Sequence, residues 1–321
     1  GYNCMAGTTT GGANTAIGRS AMYSNQTGTN NTAIGYNTLV NNTVGFNTAV
    51  GSQALQVNTT GASNTGIGFN SLGANTTGTD NTAVGVNSLD SNTSGQGNNA
   101  IGKNALGVNT TGSYNQAIGR ECLDANTEGE MNVGVGHACL SDNTTGDRNV
   151  AVGFDALNDN TTGSESTAVG QNALKNNSAS KSTAVGAYAL DANTNAVQNT
   201  SVGYNSLTSN TTGEKNTAVG YQAGQVCSTG SKNTLIGREA GLGLTTGDNN
   251  LLLGYNAGRG SISPFGVSTE SNRIVLGDND ITNAYIKVAF TVTSDKRDKI
   301  EDGIVSHGLD FVNKLKPKSF W

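Results

Sequence analysis

Charge, proline, histidine and long apolar runs are all scarce in this chain, and each scarcity removes a class of explanation. With 13% charged residues, a net charge of -5 and two prolines in 321 residues, it does not have the profile of a disordered segment. Its apolar content of 34% nevertheless falls below the roughly 45–50% usual in globular chains, so one thick core is not expected. No run approaches the about 18 apolar residues of a membrane span, and no signal-peptide pattern is present, so membrane insertion is not expected. Lysine and arginine are scattered rather than gathered into a stripe, which argues against a nucleic-acid partner. His137 and His307 are the only histidines and lie 170 residues apart, too far to suggest a metal site, a cofactor site or a catalytic triad.

Glycine, asparagine, threonine, serine and alanine are in excess, and their order is periodic. A glycine ending the motif N-T-A-[VI]-G recurs sixteen times from Gly1 to Gly254; thirteen of the fifteen intervals are 17 residues and two are 16. A full turn of the repeat runs from Asn81 to Gly97. Such self-similarity is the signature of a solenoid. Branched side chains and abundant glycine in so short a unit oppose a helical pair, so the expected fold is all-β: a parallel β-solenoid, or β-roll, of 17-residue rungs. Rungs stacked at about 4.8 Å would make a rod about 75 Å long.

Each row of the repeat suggests a task. The residue before the glycine is β-branched in fourteen of fifteen copies (Ile17, Ile34, Val84, Val219), which suits a strand facing a core. Leucine stands four residues after the glycine in eleven copies, from Leu39 to Leu207, and reads as a second, opposing core row. Between the two, N-T-T-G has turn chemistry, since Asn and Gly tolerate positive φ. That turn accounts for the sequons at Asn58 and Asn210 without glycosylation. The two single-residue deletions, near Phe46 and Lys181, fall just after it. Asparagine begins the strand in thirteen of fifteen copies, so stacked amide ladders are expected. Cys4, Cys122 and Cys139 occupy a slot elsewhere filled by Ala, Ser or Thr, three residues after the glycine; small-residue packing and a Cys122–Cys139 disulfide both fit that placement. The third position is Ala, Gly or Ser up to Ala218, and alternation sets it opposite the β-branched row. A uniformly small row suggests close approach by another backbone, either a second chain or the far wall of a flattened solenoid. Beyond Ala218, Gly224, Gly241 and Gly258 replace Leu while Leu235 and Leu252 enter the small slot, so bulk moves across the rung.

Residues 1 to about 258 resemble the β-roll heads of trimeric autotransporter adhesins, whose N-S-V-A-I-G motif parallels Asn81-Thr82-Ala83-Val84-Gly85. Similar N-T-A-V-G-Y-x-A-L arrays occur in phage tail fibres. The resemblance implies a homotrimer. After Gly254 the period fails: a loop with Pro264 leads to a degenerate rung, Asn272 to Gly277, and Ala284–Val292 reads as a strand. Residues 294–321 resemble the opening of the intramolecular chaperone domain of endosialidase-type tailspikes, in Ser294, Asp295, Lys299, the helix-like Gly308–Pro317 and Phe320. By that resemblance Ser294 is the nucleophile and Lys299 the base of a single cleavage at Ser294–Asp295. A helix N-terminus capped by Ser294 or Asp295 is the plainer reading of the same residues.

The expected organisation is a shaft over 1–260, a degenerate rung and connecting strands over 261–293, and a short α/β segment, the truncated start of the chaperone-like domain, over 294–321. Gly1 aligns with the repeat glycine and Trp321 comes early in that domain, so a longer polypeptide is expected. The functional expectation is a homotrimeric tail-fibre or tailspike shaft on a virion tail, presenting an element that binds a host glycan or protein receptor; a bacterial surface adhesin is the alternative. A glycan depolymerase is not expected, because Asp90, Asp124, Asp142, Asp155, Asp159 and Asp191 occupy variable loop positions without fixed pairing. Aromatics follow the glycine in seven copies (Tyr2, Tyr36, Phe69, Phe154, Tyr204, Tyr221, Tyr255), where they either pack on the core edge or stack sugars.

Overall fold

The computed structural model describes residues 1–260 and 266–285. Sixteen parallel strands of three residues each, from β1 (Thr15–Ile17) to β15 (Leu251–Leu253) and β16 (Ile274–Leu276), form one sheet in strict sequence order. The fold is therefore an all-β parallel β-solenoid. Every pairing joins equivalent residues, as in Thr82↔Asn99, Ala83↔Ala100 and Val84↔Ile101. β16 keeps this register against β15 although 23 residues separate Leu251 from Ile274, so the degenerate rung is a true rung. Gly1–Ile281 is one compact unit and Thr282–Trp321 another. Ala284 and Tyr285, the start of the expected 284–292 strand, are irregular chain. The rest of that strand, the helix-like Gly308–Pro317, and Ser294, Asp295 and Lys299 lie outside the described residues.

The inward and outward rows are the reverse of the expectation. Strand alanines such as Ala83, Ala100 and Ala117 are fully buried, whereas ten of the Val and Ile residues of the β-branched row lie 36–43% exposed. The close approach inferred for the small row is thus made within the chain. There is also one sheet, not two: the leucine row lies in a turn, where Leu39 to Leu207 hold φ between 47° and 54° and are fully buried. This turned backbone still bonds from rung to rung, as when Leu89 N–H donates to Ala105 O at 3.0 Å. A core one leucine wide leaves room only for alanine, glycine or serine across from it.

The repeat glycine holds φ between 115° and 145° from Gly18 to Gly254, a region closed to side chains. A Cβ on Gly35 would also lie 2.5 Å from the carbonyl oxygen of Gly51 on the next rung, so stacking itself demands glycine.

Two buried asparagine ladders flank the apolar core. In the strand ladder each Asn accepts, at Oδ1, the backbone N–H of its equivalent one rung on (Asn98 N to Asn81 Oδ1, 3.0 Å). Its Nδ2 donates to the carbonyl of the turn glycine (Asn98 Nδ2 to Gly112 O, 2.8 Å). The second ladder, not foreseen, is built from the N-T-T-G asparagines. Asn109 Nδ2 donates to Asn92 Oδ1, Asn126 Nδ2 to Asn109 Oδ1, and Asn143 Nδ2 to Asn126 Oδ1, each at 2.8 Å. Asn58 and Asn210 belong to this ladder and are fully buried, which withdraws both sequons from glycosylation in the folded chain.

The two short rungs lose their residue inside the N-T-T-G turn rather than after it. Asn42 Nδ2 donates to Val44 O and Asn177 Nδ2 to Ala179 O, two residues on, where full rungs reach three on. Strand register passes both deletions unchanged, Thr32 pairing with Thr48 and Thr167 with Thr183.

Candidate interaction surfaces

Three features run along the outside of this rod: the outer sheet face, the aromatic row beside it, and an acidic corner beyond the leucine turn. The first follows from strand alternation. With the alanine turned inward, the first and third residues of every strand point outward, giving a threonine-rich row and a Val/Ile row side by side. None of the 18 basic or 23 acidic residues occupies either row on any of the sixteen strands. At the C-terminal rungs the face becomes more apolar still, with Leu251 and Ile274 in the threonine row and Leu253 and Leu276 in the Val/Ile row.

The aromatic row is exposed, not tucked against the core edge. Tyr36, Phe69, Phe154, Tyr204, Tyr221 and Tyr255 are all 44–51% exposed. Neighbouring rings stack on each other. Tyr204 and Tyr221 lie 5.5 Å apart at 15°, and Tyr188 meets Tyr204 edge-on at 6.2 Å. The Arg238 guanidinium sits between Tyr221 (5.5 Å) and Tyr255 (5.3 Å) and donates to the Tyr255 hydroxyl at 3.0 Å. His137 stacks on Phe154 at 5.3 Å and 10°. Rings stacked rung on rung have planes across the rod, so their faces cover one another and their edges meet solvent. Sugar stacking needs open faces, and these stacks supply few.

The acidic corner carries Asp90, Asp124, Asp159 and Asp191 on alternate rungs along one side of the rod. Burial holds all four carboxyls above the ordinary aspartate value. Asp124 is further raised by Glu121 and Asp142, against a 2.9 Å hydrogen bond from Ser141 Oγ. Lys175 partly offsets the rise at Asp159 and Asp191. A shallow hollow of about 180 Å³ lies between Asp90 and Asp124, opened by Gly107 on the rung between them. Ser91 lines it, but no histidine, lysine or cysteine stands beside that hydroxyl to activate it. Among the described residues no group of three or more His, Cys, Asp or Glu is placed to hold a metal ion.

Cys122, Cys139 and Cys227 are free and buried, and Cys4 is free and half-buried. Cys122 and Cys139 follow one another in the small slot, and Gly134 replaces alanine beside them: a Cβ there would lie 3.0 Å from the Cys139 sulfur and nearer still to that of Cys122. A hydrogen bond with Cys139, then burial, push the Cys122 thiol far up, and burial pushes Cys227 up to about 11. These are packing residues rather than reactive thiols.

The fold and the uncharged face together define the class: a single-sheet parallel β-solenoid with an apolar outer stripe. Comparison with known proteins finds no family model, no curated protein and no solved structure that matches the chain.

Proposed function

We propose that the chain is the shaft of a homotrimeric tail fibre or tailspike of a virus infecting bacteria, an extracellular part of the virion that holds a receptor-binding element away from the particle. The observation that carries this reading is the unbroken sheet of sixteen rungs, whose register survives two deletions while its outer face stays free of charge. A rigid rod of stacked near-identical rungs is mechanical in character. The resemblance of the repeats to trimeric β-rolls, and of residues 294–321 to a tailspike chaperone, supports a trimer aligned from its C-terminal end. Such a device answers a physical need, because identical rungs can pair out of step by a whole turn at little cost.

The test is the mass of the purified fibre, native and denatured. Three chains, each ending at Ser294, are the expected result. A monomer overturns the trimeric shaft, whereas a trimer whose chains continue beyond Ser294 removes only the self-cleavage.

A further inference from the structure

We infer that the outer sheet face, the paired threonine and Val/Ile rows, is the surface through which copies of this chain meet, with equivalent rungs level around a common axis. The number of copies rests on the fibre reading above; the location rests on four observations.

The first is composition. Exposed sheet faces and edges are ordinarily protected by charge, above all lysine, and contiguous exposed apolar patches are rarely larger than a few hundred Å². Here both rows lack charge on every strand from β1 to β16. The charged side chains begin immediately outside them, with Arg19, Lys103, Arg120 and Arg238 in the row that follows the repeat glycine.

The second is extent. Sixteen rungs at about 4.8 Å, and a strip roughly 10 Å wide, give about 700 Å² per chain. In a trimer the strip is shared between two neighbours, so the total which each chain buries is close to the ~800 Å² that one partner contributes to a standard interface, and each pairwise contact takes about half of it.

The third is period, which identifies the occupant. The ridge of branched side chains repeats once per rung, and only a surface with the same repeat can match it over the whole length. An unrelated globular partner would fit one or two rungs and leave the rest wet. A second copy fits everywhere, and a cyclic arrangement lets the same row serve every copy.

The fourth is continuity. Both 16-residue rungs take up their deletion in the turn, away from this face, so no step interrupts it. Leu251, Leu253, Ile274 and Leu276 then make its C-terminal end the most apolar part, which would favour pairing from that end.

The experiment uses native mass spectrometry and sedimentation of the full chain. Val84→Lys with Val169→Lys puts charge on the face; Ser94→Lys with Thr162→Lys puts the same charge on the exposed N-T-T-G turn as a control. The expected result is a trimer for the wild type and the control, and monomers with an unchanged β circular-dichroism spectrum for the face variant. A face variant that stays trimeric overturns this assignment and leaves the fibre reading standing. A monomeric wild type overturns both. A near-isosteric variant, Val135→Cys in a Cys4→Ser background, covers the case in which the lysines disturb folding: mild oxidation should link two chains through residue 135, because Cys122, Cys139 and Cys227 are buried and the half-buried Cys4 is removed. Failure to cross-link also overturns the assignment.

Discussion

Eleven leucines hold φ between 47° and 54°, a conformation that costs an L-residue about 1–2 kcal/mol. Burying each side chain stabilises the fold by about 1.5–3 kcal/mol, enough to keep the turn. The last rungs reach the same end by another route. Gly224 and Gly241 take the left-handed position, with φ of 60° and 64°, and leucine enters from the strand instead. A Cβ on Gly224 would meet Leu235 Cδ1 at 2.5 Å, and one on Gly241 would meet Leu235 Cδ2 at 2.9 Å, so Leu235 fills the space of two missing leucines. This exchange can be moved to mid-array. Ala168→Leu alone should destabilise the chain by about 1–3 kcal/mol through overpacking. Adding Leu157→Gly and Leu174→Gly, its neighbours on the preceding and the same rung, should recover part of that loss in urea unfolding. If the triple variant proves less stable than the sum of its separate changes, the alanine and leucine rows do not face each other.

At the scale of the rung, stability depends on ladders that are only as good as their spacing. Asn25 Oδ1 and Asn160 Oδ1 are buried acceptors without a donor, and each lies one rung before a 16-residue turn; Asn210 Oδ1 is a third, where Cys227 follows in the ladder. In the short rung Asn177 Nδ2 is drawn to Ala179 O at 2.6 Å and does not reach Asn160. Inserting a threonine between Ser178 and Ala179 should restore the 17-residue turn and return a donor to Asn160. The expected gain is about 1 kcal/mol, seen as a higher thermal midpoint. A lower midpoint would mean that the short turn is the better one at this site. How far such detail is legible in the sequence depends on what a pattern can encode. Period, strand position, parallel register and the strand-asparagine ladder all follow from the spacing of Asn, Ala, Val and Gly. The side facing inward does not, because a three-residue strand places Ala83 opposite Val84 whichever way it turns. Branched residues favour strands on either face, so propensity is equally silent. The deciding sign was the Leu235 and Gly224 exchange, since positions that trade bulk must touch. The N-T-T-G asparagines concealed their ladder for a related reason: turn chemistry already accounts for them, and nothing local shows that their amides point inward.

Over the whole molecule, charge is kept off the sheet face and gathered partly at the acidic corner, and this layout determines the response to pH. Asp90, Asp124, Asp159 and Asp191 are all raised, chiefly by burial, so the folded chain binds protons more tightly than the unfolded one. Between the ordinary aspartate value and these raised values the native state holds more protons, and stability falls as pH rises through that window. Glu270 is opposite in sign, lowered by backbone amides led by that of Ser268; what it contributes is lost only below the ordinary glutamate value, where it opposes the aspartates at the acid end of the window. The thermal midpoint should therefore rise as pH is lowered from 7 to about 4.5, the reverse of ordinary acid destabilisation. Asp191 is the best single probe, because its Oδ1 is buried without a hydrogen-bond partner. Asp191→Asn should raise the midpoint at pH 7 and flatten the slope, with the difference from the wild type shrinking as pH falls toward the ordinary aspartate value. If the wild type loses stability steadily from pH 7 downward, or if Asp191→Asn leaves the slope as it was, the corner is solvated more fully than its geometry implies.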